Sequence, residues 1–319
     1  MIKILANDGI SQSGISALES KGFKIDTKHV PQDQLAQEIN SKNYEVLLVR
    51  SATTVRKNLI DVCPKLKIIG RGGVGMDNID VVYAREKGIT VINTPAASSS
   101  SVAELVFAHL FGMVRFLFDS NRQMPLSGDA DFKALKKSYA NGTELAGKTL
   151  GIVGFGRIGK EVAKKAIGLG MNVIANDKFV KEEVITIDFF NGDKKSFKIV
   201  TQKLKDVLNK SDFVTLHVPK DGNKAVIGAE EIGLMKTGAG ILNVSRGGVI
   251  DETALMFALD KQKLAYAGLD VYDNEPNPSI HICMHNAISL TPHIGAATKE
   301  AQQRIGTELA DQISSYFEK

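Results

Sequence analysis

Short apolar runs alternate from end to end with longer stretches in which apolar residues recur every three or four positions. The runs Ile2–Ala6, Glu45–Val49, Lys67–Gly70 and Thr90–Ile92 make a first set of expected β-strands. A second set comprises Thr149–Val153, Asn172–Ala175, Phe213–His217, Gly240–Val244, Ala265–Leu269 and Ala287–Leu290. Compact apolar strands separated by amphipathic helical segments predict parallel sheets covered by helices on both faces. The expected class is therefore α/β, with two doubly wound domains.

The two sets divide where Asn93-Thr94-Pro95 ends a strand and the serine cluster Ser98–Ser101 follows. Ser101 with Glu104 three residues on has the form of a capping box. The helix expected after it runs through Val102, Leu105, Val106 and Leu110 as a connector. Near the other end, strand Ala287–Leu290 leads through a turn over Thr291–Ala297 into a helix over Thr298–Phe317. Residues 1–97 and 293–319 are thus expected to form one discontinuous domain, with 98–292 inserted as the second. Val184–Phe190 and Lys195–Val200 flank Asn191-Gly192-Asp193, a strong hairpin signal. It predicts a small antiparallel hairpin on the edge of the second domain, with a lid or contact surface as the functional alternative.

Composition narrows the function classes. Hydrophobic residues make up 43% and charged residues 24% of 319, ordinary values for a globular protein. The net charge of +4 is spread along the chain in runs no longer than pairs such as Lys136-Lys137 and Lys194-Lys195. That argues against a nucleic-acid partner, which calls for clustered basic residues, and suits a small anionic substrate. No apolar run approaches the ~20 residues that span a membrane. The opening MIKILANDG reads as a first strand, so a cytoplasmic protein without a membrane partner is expected. Cys63 and Cys283 follow no ligand spacing and are expected to be buried free thiols. His281 and His285 have helix-face spacing but sit between Asn277-Pro278 and a strand. No metal is expected there, and His29 and His109 are expected to be structural.

The segment Thr149–Gly159 carries Gly154-Phe155-Gly156-Arg157-Ile158-Gly159 between a strand and a helix. In that setting the first glycine permits the turn, the second admits a pyrophosphate and the third lets helix pack on strand. Amides at Arg157 and Ile158 then open the helix toward phosphate. A second strand ends in Asp177, where a carboxylate can accept from both ribose hydroxyls and repel a 2′-phosphate. NAD is the expected cofactor, with the adjacent Lys178 leaving room for NADP.

Three later strands end in polar segments: Asn243–Gly248 with Ser245 and Arg246, Gly268–Tyr272 leading to Glu275-Pro276, and Thr291–Ala296 with His293. Ligands of open parallel sheets bind beyond the carboxyl ends of the strands. His293 suits general acid/base work near neutrality, Glu275 would fix its tautomer, and Arg246 offers a planar fork for a carboxylate.

These motifs resemble those of the D-isomer-specific 2-hydroxyacid dehydrogenases over nearly the whole chain. The resemblance rests on VRSAT (Val49–Thr53), Gly70–Asp80, Asn141–Ala163 and His293–Gly306 as well as on the three strand ends. It implies a Rossmann NAD-binding domain inserted into a smaller flavodoxin-like substrate domain, with the active site in a cleft that closes on substrate. It implies that Arg246, Glu275 and His293 are catalytic and that Asp270 holds the nicotinamide carboxamide. His217, Val218 and Pro219 would line the adenosine side, with Ser245 and Gly295 completing the cofactor set. Arg50, Ser51, Arg71, Gly72, Gly73, Val74 and Gly75 would bind substrate, the glycine loop its carboxylate and the two arginines a phosphate. A homodimer through the cofactor domain is implied as well, with Lys136 and Lys137 either reaching a partner or lying on a solvated helix.

Two departures stand out. Ser98 replaces the family's usual Asn, and the C-terminal regulatory domain found in many relatives is expected to be lacking, with no feedback by serine through it. Two rival readings remain open. One is a glyoxylate or hydroxypyruvate reductase, whose substrate carries no phosphate. The other is a non-catalytic NAD(H)-sensing binding protein.

Overall fold

A computed structural model describes residues 1–220, 222 and 224–318. By the density of its internal contacts the chain divides into one unit of Met1–Ser101 with Ala296 onward and another of Val102–Gly295. The sequence reading set the joints at 97/98 and 292/293; its last residue, Lys319, lies outside the described residues.

The first unit alternates β1 (Lys3–Ala6), α1 (Gln12–Ser20), β2 (Lys24–Asp26), α2 (Leu35–Lys42), β3 (Val46–Val49), α3 (Lys57–Val62), β4 (Ile68–Arg71), α4 (Val81–Glu86) and β5 (Thr90–Asn93). All its strands are parallel, in the order β2-β1-β3-β4-β5. That is the flavodoxin-like order. Strand β3 is buried at every position because both faces of the sheet are covered. Leu47 and Val49 face one core with Leu59 and Ile60, while Val46 and Leu48 face another with Ile305, Leu309 and Ile313. Strand β2 was absent from the sequence reading. It is three residues long and largely uncovered, so its apolar signal is weak.

Helix α5 (Ser99–Val114) carries the chain into the second unit. It begins two residues before the expected cap at Ser101, so that residue lies inside the helix. Glu104 on the same helix lies 3.7 Å from Lys165. The serine run offers several starts, and the Ser99 hydroxyl already reaches the Pro95 carbonyl at 3.2 Å. There follow α6 (Leu117–Ser127), α7 (Phe132–Ser138), β6 (Thr149–Val153), α8 (Arg157–Gly168), β7 (Asn172–Asn176), β8 (Glu182–Asp188), β9 (Lys194–Val200), α9 (Leu204–Lys210) and β10 (Phe213–Leu216). The unit closes with α10 (Ala229–Leu234), β11 (Ala239–Asn243), α11 (Glu252–Asp260), β12 (Leu264–Leu269), α12 (Ile280–Met284) and β13 (Ile288–Leu290). Helix α13 (Lys299–Phe317), capped by Thr298, returns to the first unit and packs on α1, where Gly14 and Gly306 let the two backbones approach.

The six-stranded sheet has the order β13-β12-β11-β10-β6-β7, all parallel. A Rossmann sheet runs 3-2-1-4-5-6. Its third strand is reduced here to a single parallel bridge between Thr201 and Ala175 of β7. The hairpin β8-β9 occupies the chain just before that bridge. It is antiparallel, as expected from the Asn191-Gly192-Asp193 signal. The last strand pair is Asp188 with Lys194, and five residues loop over, with Gly192 at φ +88° and the Phe189 amide donating to the Asp193 carbonyl.

Cys63 is buried, but Cys283 is exposed, contrary to the expectation of two buried thiols. Helix α12 turns Ile282 inward and its neighbours out. No single described helix is long and apolar enough to cross a membrane; α5 and α6 reach the length only together and bend by 53°.

Candidate active site

The glycine turn grows out of β6. Gly154 has φ +93°, and a Cβ there would stand 2.5 Å from the His217 carbonyl oxygen, so only glycine fits. A Cβ on Gly159 would collide with the Gly154 carbonyl, which is how α8 comes to lie directly on the turn. Gly156 is the opposite case. It is the N-cap of α8, no side chain caps the helix, and nothing lies within 4 Å of its Cβ position. Open space in front of an uncapped helix start suits a pyrophosphate, and the residues present fit NAD in that respect. Arg157 is exposed and Ile158 half-buried on the first turn.

Asp177 stands just past β7. Its Oδ2 accepts from the Phe155 amide at 2.7 Å, and its Oδ1 from the Phe179 and Val180 amides at 2.8 and 2.9 Å. Burial pushes this carboxyl up, but the three amides, with Lys160, outweigh it and hold the group below the ordinary aspartate value. Each carboxylate oxygen has two lone pairs. Oδ2 therefore keeps one for a ribose hydroxyl, while Oδ1 is saturated by its own loop. His217, Val218 and Pro219 follow β10. The His217 Nε2 meets Thr215 Oγ1 at 3.0 Å, its Nδ1 is buried without a partner among the described residues, and burial pushes the ring down to about 3. Val218 comes within 2.8 Å of the Gly154 Cβ position, while Pro219 is exposed.

The three polar strand ends meet at the carboxyl ends of β11, β12 and β13, which pair side by side. His293 Nδ1 and Glu275 Oε2 lie 2.8 Å apart. The Tyr272 amide donates to Glu275 Oε1 at 3.0 Å and fixes the carboxylate plane. His293 itself adopts φ +54°, an unusual conformation for a side chain of its size, and its amide reaches back to the Thr291 carbonyl at 3.1 Å. Arg246 is half-buried on the neighbouring loop, with Nη1 donating to the Ser245 carbonyl at 2.6 Å. A Cβ on Gly247 would overlap the Tyr272 carbonyl oxygen, so the loop of Arg246 lies directly against the loop of Glu275.

Asp270 is 1% exposed and holds the His293 loop. Its Oδ1 accepts from the Thr291 hydroxyl and the Ile294 amide, both at 2.7 Å, and its Oδ2 accepts from the Gly295 amide at 2.8 Å. Gly295 is needed at this point, since a Cβ would come within 3.1 Å of Asp270 Oδ2 and 3.3 Å of Val102.

In the first unit, Arg50 and Ser51 follow β3, and Gly72, Gly73, Val74 and Gly75 follow β4, which Arg71 ends. Asp8 ties the Arg50 turn by accepting from the Arg50 and Thr53 amides at 2.6 and 3.1 Å. Burial pushes the Arg50 guanidinium below its ordinary value, with Asp8 opposing the shift. The Arg71 guanidinium lies across Gly73, whose φ of +147° and missing Cβ make room for it. The carbonyls of Gly73 and Val74 are tied to the Thr94 amide and the Asn93 side chain, at 3.1 and 2.7 Å. Among the described residues the Val74 and Gly75 amides have no partner.

Several residues that build the site went unnoticed in the sequence. Asn243, 2% exposed, accepts from the Ser245 amide and hydroxyl and donates to the Arg246 carbonyl, which shapes the arginine loop. The Tyr272 hydroxyl donates to the Thr291 carbonyl at 2.8 Å, and burial pushes that phenol up to about 12. The polar segments that contain them were visible, but nothing in their spacing separates a group that touches ligand from one that shapes a loop. Elsewhere, Lys136 and Lys137 are exposed on α7, and His285 Nε2 lies 3.5 Å from Asp260. Among the described residues no cluster of three His, Cys, Asp or Glu side chains is placed to hold a metal.

The family described as "D-isomer specific 2-hydroxyacid dehydrogenase, NAD binding domain" matches residues 107–295. The chain belongs to the D-isomer-specific 2-hydroxyacid dehydrogenases. The chain is 40% identical over 98% of its length to the D-3-phosphoglycerate dehydrogenase of Methanocaldococcus jannaschii, of which it covers 57%. It thus spans little more than half the length of that relative. It is 39% identical over 98% of its length to the hydroxypyruvate reductase of Thermotoga maritima, of which it covers 97%. Among solved structures, the glyoxylate reductase of Paecilomyes thermophila superposes with a TM-score of 0.80 at 28% identity, covering all of this chain and 96% of that one.

Proposed function

We propose that this dehydrogenase oxidises D-3-phosphoglycerate to 3-phosphohydroxypyruvate with NAD, the step that feeds serine biosynthesis. The reading is carried by the hydrogen bond of 2.8 Å between His293 Nδ1 and Glu275 Oε2 beside the Arg246 loop. An ionised carboxylate only accepts, so Nδ1 carries the proton and the neutral ring keeps its lone pair at Nε2. Nε2 takes the proton from the C2 hydroxyl during oxidation and returns it during reduction. Glu275 then faces the imidazolium that forms and stabilises its charge. Arg246 binds the substrate carboxylate and polarises the C2 oxygen. NAD, when bound, accepts the hydride from C2.

The phosphate is assigned to Arg50 and Arg71, and the carboxylate to the unpartnered Val74 and Gly75 amides as well. Support comes from the half-buried state of both arginines and from the name of the Methanocaldococcus relative. A second reading, reduction of hydroxypyruvate, is favoured by the Thermotoga relative, whose length this chain matches almost fully. Turnover of 3-phosphoglycerate and of glycerate by wild type and Arg50→Ala, followed through NADH absorbance, separates the two. Loss of tenfold or more confined to the phosphorylated substrate supports the first reading; equal losses on both favour the second. A homodimer belongs to the same proposal, because Leu117, Phe118, Met124, Leu126 and Phe132 leave apolar surface exposed on α6 and α7.

A further inference from the structure

We propose that His109 is a positioning residue for the proton-transfer step, acting through Thr291 and Asp270 on the loop that carries His293. The inference rests on the dehydrogenase chemistry above and extends it to a residue that touches neither substrate nor cofactor in that scheme.

His109 lies on α5 at 2% exposure, on the same helix as the apolar core residues Val106, Leu110 and Met113. An imidazole among such neighbours is costly unless both nitrogens are satisfied. Here Nδ1 meets Ser289 Oγ at 2.8 Å and Nε2 meets Thr291 Oγ1 at 3.0 Å. Those residues are two apart along β13 and its extension, so their side chains leave the same face, and one ring spans both. Gly268 of β12 makes the room, since a Cβ there would approach the His109 Cβ to 3.1 Å and its Cγ to 3.3 Å.

The direction of every hydrogen bond follows from chemistry. The Asp270 carboxylate accepts from the Thr291 hydroxyl at 2.7 Å, which uses the one proton Thr291 Oγ1 has. Thr291 Oγ1 must then accept from His109, so Nε2 carries the ring proton. Burial holds the ring below the ordinary histidine value and so neutral, with Asp270 opposing. Nδ1 therefore accepts from the Ser289 hydroxyl. The chain Ser289→His109→Thr291→Asp270 is polarised in one sense and ends on the carboxylate that grips the Ile294 and Gly295 amides. Those amides follow His293 and Thr291 precedes it, so Asp270 holds the left-handed backbone of His293 from both sides.

His109→Leu removes the donor and leaves Thr291 free to turn its hydroxyl away from Asp270. Thr291→Val breaks the chain at its middle with little change of shape. Both variants are expected to lose about tenfold in kcat, with KM and the NADH dissociation constant, the latter from fluorescence titration, within twofold. The double variant should be no worse than Thr291→Val alone, since the two residues act in series. His109→Gln, whose amide nitrogen can donate to Thr291 while its oxygen accepts from Ser289, should recover at least half the wild-type kcat. A kcat within twofold of wild type in both His109→Leu and Thr291→Val overturns the proposal. So does a His109→Gln variant as impaired as His109→Leu. If wild type turns over none of a panel of 2-hydroxy and 2-keto acids, the dehydrogenase reading fails. Proton–nitrogen correlation spectra of the His293 ring then decide the positioning claim by themselves: a shifted Nδ1 signal in Thr291→Val supports it, and an unmoved one overturns it.

Discussion

Replacing Glu275 by Gln tests the proton-transfer geometry most directly. The two carboxylate oxygens have separate duties: Oε1 accepts from the Tyr272 amide and Oε2 from His293 Nδ1. A glutamine can keep only one oxygen, and its amide nitrogen must face one of those two donors. Against the fixed Tyr272 amide it would clash, so the nitrogen turns to the imidazole. The neutral ring then relieves the second clash by moving its proton from Nδ1 to Nε2, which removes the lone pair that accepts the substrate proton. The charge partner of the imidazolium is lost as well. A charge-assisted hydrogen bond contributes about 1.5–3 kcal/mol. The pair is 39% and 35% exposed, so screening reduces the expected share to about 1–2 kcal/mol. At about 1.4 kcal/mol per factor of ten, kcat for oxidation should fall about 5- to 30-fold. KM for NAD should stay within twofold, because Glu275 makes no cofactor contact in this scheme. Steady-state rates with the preferred hydroxy acid at saturating NAD provide the assay. A variant with more than half the wild-type kcat would falsify the assigned roles of Glu275 and His293.

Other outcomes follow from the same geometry. Gly154→Ala should destabilise the fold by more than about 2 kcal/mol, from the positive φ and the blocked His217 carbonyl together; an unchanged urea midpoint contradicts this. His109 and His217 are both held below the ordinary histidine value by burial, His217 down to about 3. The unfolded chain, whose histidines titrate near 6.5, binds more protons than the folded one at acid pH. The stability these rings contribute is therefore fully present above about 6.5 and is lost as pH falls below that, for His217 down to about 3, by at most about 1.4 kcal/mol per pH unit for each ring. Denaturation midpoints equal at pH 7 and pH 5 contradict that sign. Asp177→Ala releases the Phe155, Phe179 and Val180 amides. It should raise the NADH dissociation constant at least tenfold by loosening the glycine turn as well as by losing the ribose contact; calorimetric titration with an unchanged constant counts against both roles.

The parts of this molecule legible in the sequence are those that contiguous residues encode. The strand cores of β3 and β6, the glycine turn and the three polar strand ends each sit in a run whose chemistry is local. What could not be read depends on residues far apart in the chain. His109 and Thr291 are 182 positions apart and meet only because α5 packs on β13, so His109 looked like any core histidine. The resemblance alone assigns Asp270 to the nicotinamide carboxamide, and says nothing of its contacts within the chain. Occupation of that carboxylate by Thr291, Ile294 and Gly295 comes from a loop that begins 21 residues later. The start of α5 was misplaced for the opposite reason: neighbouring serines compete as caps on nearly equal terms, and packing chooses among them.

The shrinkage of the third Rossmann strand to one bridge has a consequence for solubility. A long bare rim of β-structure is a template on which other chains can polymerise. One rim of the six-stranded sheet is β13, only three residues long. The other is β7, where Thr201 takes a bridge position and the Gln202 amide bonds the Ala175 carbonyl at 2.7 Å. Cutting out the ribbon between residues 178 and 202 would strip that rim bare, and the shortened protein would be prone to aggregate even with its catalytic groups untouched.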